Sequence, residues 1–274
     1  VKNINPAPFA GSWPKHLVNV SGTLYFSAND GVNGQELWKS DGTPAGTVMV
    51  KNINTNPSSS SWPYALTAMG GMLYFIADDG VDVELWTSDG TAGGTMFLTT
   101  GGATPAQLTP VSGTLYFTAL SGASGRQLWK SDGTPIGTAM VTAINPSGDS
   151  IIRYLAGVGG TLYFAADDGT TAGQELWRSN GTAGGTVMVK DIYTPPWAPS
   201  NPTDLIDFNG TLFFIANNGT NGFELWKSTG TAAGTTLVKD INPSGHSAIA
   251  NFTVVGSELY FAARDGVNGV ELWK

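Results

Sequence analysis

Carboxylates recur at two fixed places in this sequence, and they are the first side chains to consider for chemistry. Catalysis by two carboxylic acids requires different environments, so that one group is protonated while the other is ionised. Carboxylates at equivalent repeat positions share one environment, so we predict no catalytic residue among them. We expect the aspartates to accept hydrogen bonds within their own turns and the glutamates to pair with a hydroxyl or amide. The glutamates precede a Leu-Trp pair and the aspartates follow it: Glu36, Glu84, Glu175, Glu224 and Glu271, and Asp41, Asp89 and Asp132.

A second set of acidic residues lies in another predicted turn and offers the only candidate metal ligands. Calcium takes six to eight oxygen ligands, whereas each of these turns supplies two side chains at most and has the composition of a plain turn. The chain has two histidines and no cysteine, which excludes a Cys-ligated or His-rich metal site. We therefore predict no metal and no cofactor, with calcium as the weaker alternative. Its candidate ligands are Asp30, Asp79, Asp168 and Asp265.

The segments that break the repeat are the best candidates for function, because what repeats is more simply explained by the fold. They are the connections at residues 5–15, 54–64, 145–154, 193–204 and 242–251. Aromatic side chains beside Asn and Ser suit stacking on sugar rings or docking of a protein. The alternative is that each Trp folds under its Pro-rich loop and covers the end of a sheet. The predicted ligand-binding face contains Trp13, His16, Trp62, Tyr64, Arg153, Tyr154, Trp197 and His246.

Five Asn-X-Ser/Thr triplets could accept N-linked glycans. Three of them lie in predicted turns, where a glycan would project into solvent. A sequence rich in Gly, Asn and Thr also produces such triplets by chance. The candidate acceptors are Asn19, Asn180, Asn209, Asn218 and Asn251.

The composition excludes several classes of partner. The 274 residues include 13 basic and 21 acidic side chains, a net charge of −8 that argues against nucleic-acid binding. No apolar run approaches the ~20 residues that span a bilayer, so we expect no membrane insertion. The remaining partners are a glycan, a protein surface or copies of the chain itself.

Two sequence markers recur together and define the elements that must position these residues. The Leu-Trp pair places its tryptophan at positions 38, 86, 129, 177, 226 and 273. A glycine in a short turn before a Leu-aromatic-Phe run recurs with the same period. We infer six repeats of about 47 residues, a period typical of propellers and other repeat architectures.

Each repeat contains four short apolar runs that are too short for helices. In the first repeat they cover residues 16–20, 23–28, 35–39 and 47–53, separated by turn residues such as Ser21-Gly22. The second run is apolar on both faces, which indicates a sheet that is covered on both sides. These features predict an all-β fold, a six-bladed β-propeller of four-stranded antiparallel blades. A β-solenoid is the alternative, but its rungs are shorter and lack three hairpin turns.

The two ends of the chain suggest how the ring closes. Residues 1–5 repeat the sequence of the fourth strand at residues 50–54, and the chain ends within the third strand of the last repeat. We therefore predict that Val1–Ile4 completes the blade that ends at Lys274, which hides a sheet edge. Residues 1–274 then form a single propeller domain.

The repeated strings resemble those of the bacterial ELWxxDGT-repeat proteins. They read ELWKSDGTPAGT at residues 36–47 and ELWTSDGTAGGT at 84–95, and then QLWKSDGTPIGT, ELWRSNGTAGGT and ELWKSTGTAAGT from residues 127, 175 and 224. The resemblance covers the whole chain, with departures at Gln127, Asn180 and Thr229. It implies a secreted or surface-attached repeat protein, and no particular reaction.

Three hypotheses of function follow. The first is a non-enzymatic extracellular structural or recognition module that binds glycan or protein partners through its loop face. The second is a subunit of an extracellular filament or surface layer, in which Val1–Ile4 completes the last blade of a neighbour. The third is a polysaccharide hydrolase or lyase that uses unrepeated groups such as Asp204, Asp207, His16 or His246.

Overall fold

The computed structural model describes residues 2–99 and 101–274, and these residues form six antiparallel sheets, here called blades 1 to 6. Blade 1 contains β1 (Lys15–Val20), β2 (Thr23–Asn29), β3 (Gln35–Ser40) and β4 (Val48–Lys51). Blade 2 contains β5 (Tyr64–Met69), β6 (Met72–Asp78), β7 (Val83–Ser88) and β8 (Met96–Phe97). Blade 3 contains β9 (Ala106–Val111), β10 (Thr114–Leu120), β11 (Arg126–Ser131) and β12 (Ala139–Thr142), with a 3-10 helix at Gly122–Ser124.

The second half of the chain repeats the same arrangement. Blade 4 contains β13 (Arg153–Val158), β14 (Thr161–Asp167), β15 (Gln174–Ser179) and β16 (Val187–Lys190). Blade 5 contains β17 (Thr203–Phe208), β18 (Thr211–Asn217), β19 (Phe223–Ser228) and β20 (Thr236–Lys239). Blade 6 contains β21 (Ala250–Val255), β22 (Glu258–Ala263) and β23 (Glu271–Trp273). Among the described residues there is no helix long and apolar enough to cross a bilayer.

The strand order within each blade follows the sequence, as the four-run pattern predicts. In blade 1 the order is β1-β2-β3-β4, and blades 2 to 5 have the same meander. Ser21 and Gly22 both have positive φ, 49° and 90°, which a two-residue hairpin of type I′ requires. The predicted meander is therefore confirmed for these five blades.

Blade 6 differs from the prediction of four strands. It contains three strands among the described residues, and residues 2–4 are not part of a strand. Val1, the first residue of the predicted closing strand, lies outside the described residues. Completion of this blade by Val1–Ile4 therefore stays a prediction.

The chain divides into two compact units, each with its own core. The first is Val1–Leu120 with Trp129–Ala139, and the second is Ser121–Leu128 with Met140–Lys274. In the first unit, Tyr25 and Leu37 of blade 1 pack against Leu73, Phe75 and Trp86 of blade 2. In the second unit, blades 4 and 5 pack in the same way. Blades stacked face to face within each unit explain why the second strand is apolar on both sides.

Candidate functional site

The repeated glutamates hold the connections between blades. Glu36 is fully buried, and its carboxylate accepts hydrogen bonds from the Ile53 amide at 2.8 Å and from the Ser61 amide and hydroxyl at 3.0 and 2.6 Å. Glu175 accepts the equivalent bonds from Ile192 and Ser200. Each carboxylate thus joins the end of one blade to the start of the next. This confirms the structural role expected for Glu36 and Glu175, and Glu224 accepts the equivalent Ile241 amide. Glu271 departs from the expectation, because it is exposed at the start of β23.

Burial makes these carboxylates weak acids. Burial raises the pKa of Glu36 and of Glu224, although hydrogen bonds from a serine and from backbone amides oppose the shift. For Glu175 burial raises the pKa to about 7. Burial also raises the pKa of Glu84 to about 7, and Asp79 and Asp82 add electrostatic repulsion. Ionising these groups in the folded chain therefore costs free energy, and this cost lowers the stability of the fold as the pH rises.

The repeated aspartates stabilise the turn between the third and fourth strands. Asp41 Oδ1 accepts hydrogen bonds from the Thr43 amide at 2.9 Å and the Thr43 hydroxyl at 2.8 Å. These bonds lower the pKa of Asp41. The Thr43 hydroxyl in turn accepts the Gly46 amide, and a β-carbon at Gly46 would collide with the Asp41 carboxylate. The Asp-Gly-Thr motif is therefore a turn scaffold, as predicted.

A lysine of the fourth strand links one blade to the tryptophan of the next. Lys51 Nζ lies 5.6 Å from the ring centre of Trp86 and donates to the Thr95 carbonyl at 2.7 Å. Lys190 makes the same two contacts with Trp226 and Thr235. A cation over an indole adds attraction to the packing of the ring. The repeated tryptophan is thus part of the fold.

The candidate calcium ligands also cap their own turns. Asp30 Oδ1 accepts hydrogen bonds from the Val32 and Asn33 amides, and Oδ2 accepts one from the Asn33 side chain. Asp79, Asp168 and Asp265 accept the equivalent backbone bonds. No group of three or more His, Asp or Glu side chains among the described residues could hold a metal ion.

The turns between second and third strands pack against the connections between blades, so the two share one face, here called the loop face. Gly34 lies so close to the Ser59 backbone that a β-carbon would not fit between them. Gly31 is similarly close to the Asn5 side chain. A larger residue at either glycine would push the connection away.

Two residues of left-handed conformation recur at the start of each blade. The first directly follows the Ser or Ala at the end of each connection, and the second lies three residues further on, at a bulge in the first strand. Positive φ is uncommon outside glycine and carries strain in a bulky residue. Because all six blades share it, the conformation belongs to the fold, whereas the side chains that it presents vary. The positions are 13, 62, 104, 151, 201 and 248, and 16, 65, 107, 154, 204 and 251.

Trp13 and Trp62 occupy the first of these positions in blades 1 and 2, and the backbone of each is hydrogen-bonded to Gln35. The Gln35 side-chain amide donates to the Trp13 carbonyl at 3.2 Å, and the Gln35 carbonyl accepts the Trp62 amide at 3.2 Å. Gln35 is buried, whereas Trp13 and Trp62 are 69% and 61% exposed. Asn29 is adjacent to Trp13, because its backbone amide donates to the backbone carbonyl of Ser12. We call the set Trp13, Asn29, Gln35 and Trp62 the Gln35 cleft.

The equivalent site in blade 4 is a cavity of about 250 Å³ around Gln174. The Gln174 side-chain amide donates to the Ile151 carbonyl at 2.8 Å. The Gln174 backbone carbonyl accepts a hydrogen bond from the Asn201 backbone amide at 3.2 Å. Trp197 is 69% exposed and its amide donates to the Thr171 carbonyl. We call this site the Gln174 cleft. It is lined by Ile151, Asp167, Gly173, Gln174, Trp197, Pro199 and Asn201.

The structure therefore brings Trp13 together with Trp62, and places Trp197 in a cleft of its own. His16 and Tyr154 lie at the bulge position of blades 1 and 4, and both are exposed. Arg153 precedes Tyr154 on the same strand and is exposed. Tyr64 begins the first strand of blade 2 and is 39% exposed.

His246 lies on the connection that leads into blade 6. Its Nδ1 accepts the Phe223 amide at 2.9 Å, and its ring lies 5.2 Å from the Phe223 ring. It thus holds its own loop against blade 5, although its side chain is exposed.

Gln35, Gln174 and Asp167 form the polar parts of the two clefts and are not among the predicted face residues. Gln35 and Gln174 precede a repeated Glu-Leu-Trp and look like repeat positions, although the other blades carry Val83, Arg126, Phe223 and Val270 there. This variation at one repeat position was the sequence feature that could have marked Gln35 and Gln174 as site residues. The bulge residues Gln107 and Asn251 gave no signal as face residues, because left-handed conformation cannot be read from their types.

The candidate glycan acceptors differ in accessibility. Asn209 is exposed at the tip of the hairpin between β17 and β18 and has positive φ. Asn19, Asn180 and Asn251 are also exposed, although the side chains of Asn19 and Asn180 accept turn amides. Asn218 is half-buried, and its amide donates to the Asn221 side chain at 2.9 Å.

Comparison with known proteins supports the fold and adds little on function. No family model matches the chain, and no curated protein sequence matches it. Solved structures do match, among them prolyl oligopeptidase B from Galerina marginata bound to a hydrolysis and macrocyclization substrate, with a TM-score of 0.57 and 14% identity. Puromycin hydrolase complexed with PGG matches with a TM-score of 0.51 and 14% identity.

These alignments cover 93% and 91% of this chain but only 40% and 42% of the two peptidases. The chain therefore spans about two fifths of their length, and the likeness is to their propeller part. Together with the six blades, it shows that the chain has a β-propeller fold. At this identity the likeness carries no information about activity.

Proposed function

We propose that this chain is a non-catalytic, extracellular recognition module that binds a neutral glycan chain at the Gln35 cleft. The observation that carries the proposal is a pair of exposed tryptophans whose backbone groups both bond to one buried glutamine. Exposed tryptophans on neighbouring blades, rimmed by polar groups, are typical of a binding site rather than of a covered core. These bonds fix the backbone of both tryptophans before a ligand arrives, which limits the loop ordering that binding would require.

The chemistry of the cleft favours a sugar ring. Indole faces pack against the apolar C–H face of a pyranose, while side-chain amides exchange hydrogen bonds with its hydroxyl groups. Asn29 supplies such an amide, whereas the buried Gln35 amide already donates to the Trp13 carbonyl and the Ser27 hydroxyl. None of the four residues of this cleft is charged. A neutral ligand is therefore favoured over a sulfated or uronic-acid chain, which the net charge of −8 would repel.

The engagement of the repeated carboxylates supports a non-catalytic role. Glu36 and Glu175 bind the connections between blades, and Asp41 binds its own turn. A glycosidase needs two carboxyl groups on either side of the scissile bond. These three carboxylates are each engaged with their own blade or connection, so none of them is free to flank a scissile bond.

The resemblance to ELWxxDGT-repeat proteins supports an extracellular or surface setting for the module. The exposed triplet at Asn209 is compatible with that setting, since a glycan there would project from a hairpin tip. For material from a glycosylating host, we expect an intact mass above that of the polypeptide. The Asn209→Gln variant should return to the mass of the polypeptide. A mass equal to the polypeptide alone would remove Asn209 as an acceptor.

The binding proposal is tested on a panel of neutral and acidic oligosaccharides. We expect the native chain to bind one or more neutral glycans, and Trp13→Ala and Trp62→Ala each to weaken binding at least tenfold, since buried aromatic anchors contribute more than about 1.4 kcal/mol. Trp197→Ala, in the other cleft, is the matched control and leaves this affinity unchanged. Equal binding by the native chain and the double Trp13→Ala/Trp62→Ala variant would refute the assignment.

A second candidate function is self-assembly, and the exposed face of blade 6 favours it. Leu272 is 76% exposed, whereas its counterparts Leu37, Leu85, Leu128, Leu176 and Leu225 are all buried. In the described residues β23 pairs with β22 alone, so its other edge can accept a strand. Light scattering of the native chain is expected to show oligomers that grow with concentration, and Leu272→Lys to abolish them. A strict monomer at high concentration would exclude this function.

A further inference from the structure

We propose that the Gln174 cleft is a second binding site, which takes the ammonium group of an amino-sugar residue. The inference builds on the proposed glycan-binding function, but it concerns a different cleft and a different ligand charge. The two clefts occupy equivalent places in blades 1 and 4, with Gln174 in the place of Gln35. They differ in the side chains that line them.

Asp167 gives the Gln174 cleft a negative charge that the Gln35 cleft lacks. Asn29 stands at the equivalent place in blade 1, and each side chain accepts the amide two residues further on at 2.7 Å. No Lys, Arg or His nitrogen among the described residues lies within ion-pair distance of the Asp167 carboxylate. The second carboxylate at this end of the blade, Asp149, accepts the Ile151 amide. The cation closest to Asp167 in the strand register is Arg153 of β13, which pairs with Ala165.

Trp197 lines the same cavity as Asp167. A carboxylate and an indole face in one cavity together favour an organic cation, because the ring quadrupole and the negative charge both attract it. Gln174 and Asn201 add amides that can bond to hydroxyl groups. A volume of about 250 Å³ is below the range of roughly 300–1,000 Å³ for drug-sized ligands. The cavity therefore fits a single monosaccharide unit rather than a folded protein segment.

The decisive variant is Asp167→Asn, because the chain already carries asparagine at this place in two other blades. Asn29 and Asn217 each accept the same turn amide at 2.7 Å, so the substitution keeps the turn and removes only the charge. Asp78→Asn is the matched control, since Asp78 makes the same turn bond in blade 2.

The experiment measures binding of glucosamine oligomers and N-acetylglucosamine oligomers by calorimetry. We expect the native chain and Asp78→Asn to prefer the glucosamine oligomers, and Asp167→Asn and Trp197→Ala to lose at least tenfold in affinity for them. Asp167→Asn should leave binding of the acetylated oligomers unchanged. Equal affinity for both oligomers in the native chain, or loss with Asp78→Asn alone, would overturn the proposal.

Two further measurements distinguish this proposal from binding of a simple ammonium group and from binding at the Gln35 cleft. If a lysine amide binds as tightly as glucosamine, the site reads an ammonium group without a sugar and the amino-sugar assignment is wrong. Trp13→Ala/Trp62→Ala should not change binding of the glucosamine monomer. Glucosamine binding that persists while neutral glycans fail to bind would refute the proposed function of the Gln35 cleft and leave the Gln174 site standing.

Discussion

Four buried glutamates place carboxyl groups where water cannot solvate them. Glu36 and Glu224 have pKa values raised by burial, and burial raises those of Glu84 and Glu175 to about 7. Between their ordinary pKa of 4.5 and these raised values, the folded chain binds more protons than the unfolded chain. The stability contributed by these four groups therefore falls as the pH rises from about 4.5 through about 7.

The variant Glu175→Gln tests this dependence at a single residue. Glutamine occupies the same place in blade 3, where Gln127 Oε1 accepts the Ile144 amide at 2.9 Å and the Ser150 hydroxyl at 2.6 Å. We expect the native chain to lose roughly 2–3 kcal/mol from this one group between pH 4.5 and pH 8, because one pKa unit corresponds to 1.36 kcal/mol. Denaturant unfolding at several pH values should show a shallower slope for Glu175→Gln.

The reverse variant, Gln127→Glu, is the internal control for that prediction. The Gln127 side-chain amide donates to the carbonyls of Ser124, Asn145 and Gly148. A carboxylate at this place would face three carbonyl oxygens, so Gln127→Glu should destabilise the chain more at pH 8 than at pH 5. An unchanged slope in both variants would contradict the link between these carboxyl groups and pH.

At the residue scale, side-chain roles were predictable where the residue type permits only one. An aspartate before Gly-Thr has its own turn amides within reach, and Asp41 uses them. The partners of Gln35 were not predictable, because they lie on the connections before and after its blade, 22 and 25 residues away along the chain. Trp13 and Trp62 were found as exposed aromatics, but their common attachment to Gln35 required the structure.

At the scale of the element, the turn between third and fourth strands is a closed network of hydroxyl groups. The Ser40 and Thr47 hydroxyls lie 2.7 Å apart, and Thr47 also donates to the Thr43 carbonyl at 2.7 Å. The same Ser–Thr pair recurs in blades 2 to 5. This recurrence explains why Ser and Thr keep a fixed spacing in the repeat.

The variant Thr47→Val measures what that network contributes. Thr47 is fully buried, so the substitution leaves the Thr43 carbonyl and the Ser40 hydroxyl without this partner. We expect a loss of about 1–3 kcal/mol in the free energy of unfolding. Thr236→Val, at an exposed place in β20, is the control and should change stability by less than about 0.5 kcal/mol. Equal effects of the two variants would contradict a structural role for the hydroxyl.

The lysine–tryptophan contact can be introduced in a blade that lacks the lysine. Blade 3 carries Thr142 where blades 1 and 4 carry Lys51 and Lys190. We expect Thr142→Lys to stabilise the chain by about 0.5–1 kcal/mol through a cation over Trp177. Lys51→Met should destabilise it by a similar amount. Thermal unfolding checks both, and a Thr142→Lys variant that is destabilised or a Lys51→Met variant that is stabilised would contradict the role assigned to the lysine.

Strand positions were predictable from the sequence to within a few residues. The runs at 16–20, 23–28 and 35–39 correspond to β1, β2 and β3, because short β-branched and aromatic runs between turn residues have no other stable conformation here. The bulge in each first strand was not predictable. It places His16, Gln107 and Tyr154 at positive φ, which no property of those residue types indicates.

At the scale of the whole molecule, the repeat determined the number of blades and the structure showed where the repetition ends. Blades 1 to 5 have four strands, whereas blade 6 has three among the described residues. Composition also follows from this architecture, since strands buried on both faces leave few places for charge. Glycine is abundant because each blade needs positive φ at fixed turn positions, as at Gly22 and Gly42.

The central claim is that the variable side chains on a repeated loop face bind the ligand. The most direct measurement follows backbone amide chemical shifts while the tightest-binding neutral oligosaccharide is added. We predict that the shifts concentrate at residues 12–13, 29, 34–35 and 60–62, around the Gln35 cleft. Shifts centred on the hairpin turns that carry the Asp-Gly-Thr motif, or no shifts with any neutral glycan, would contradict the account.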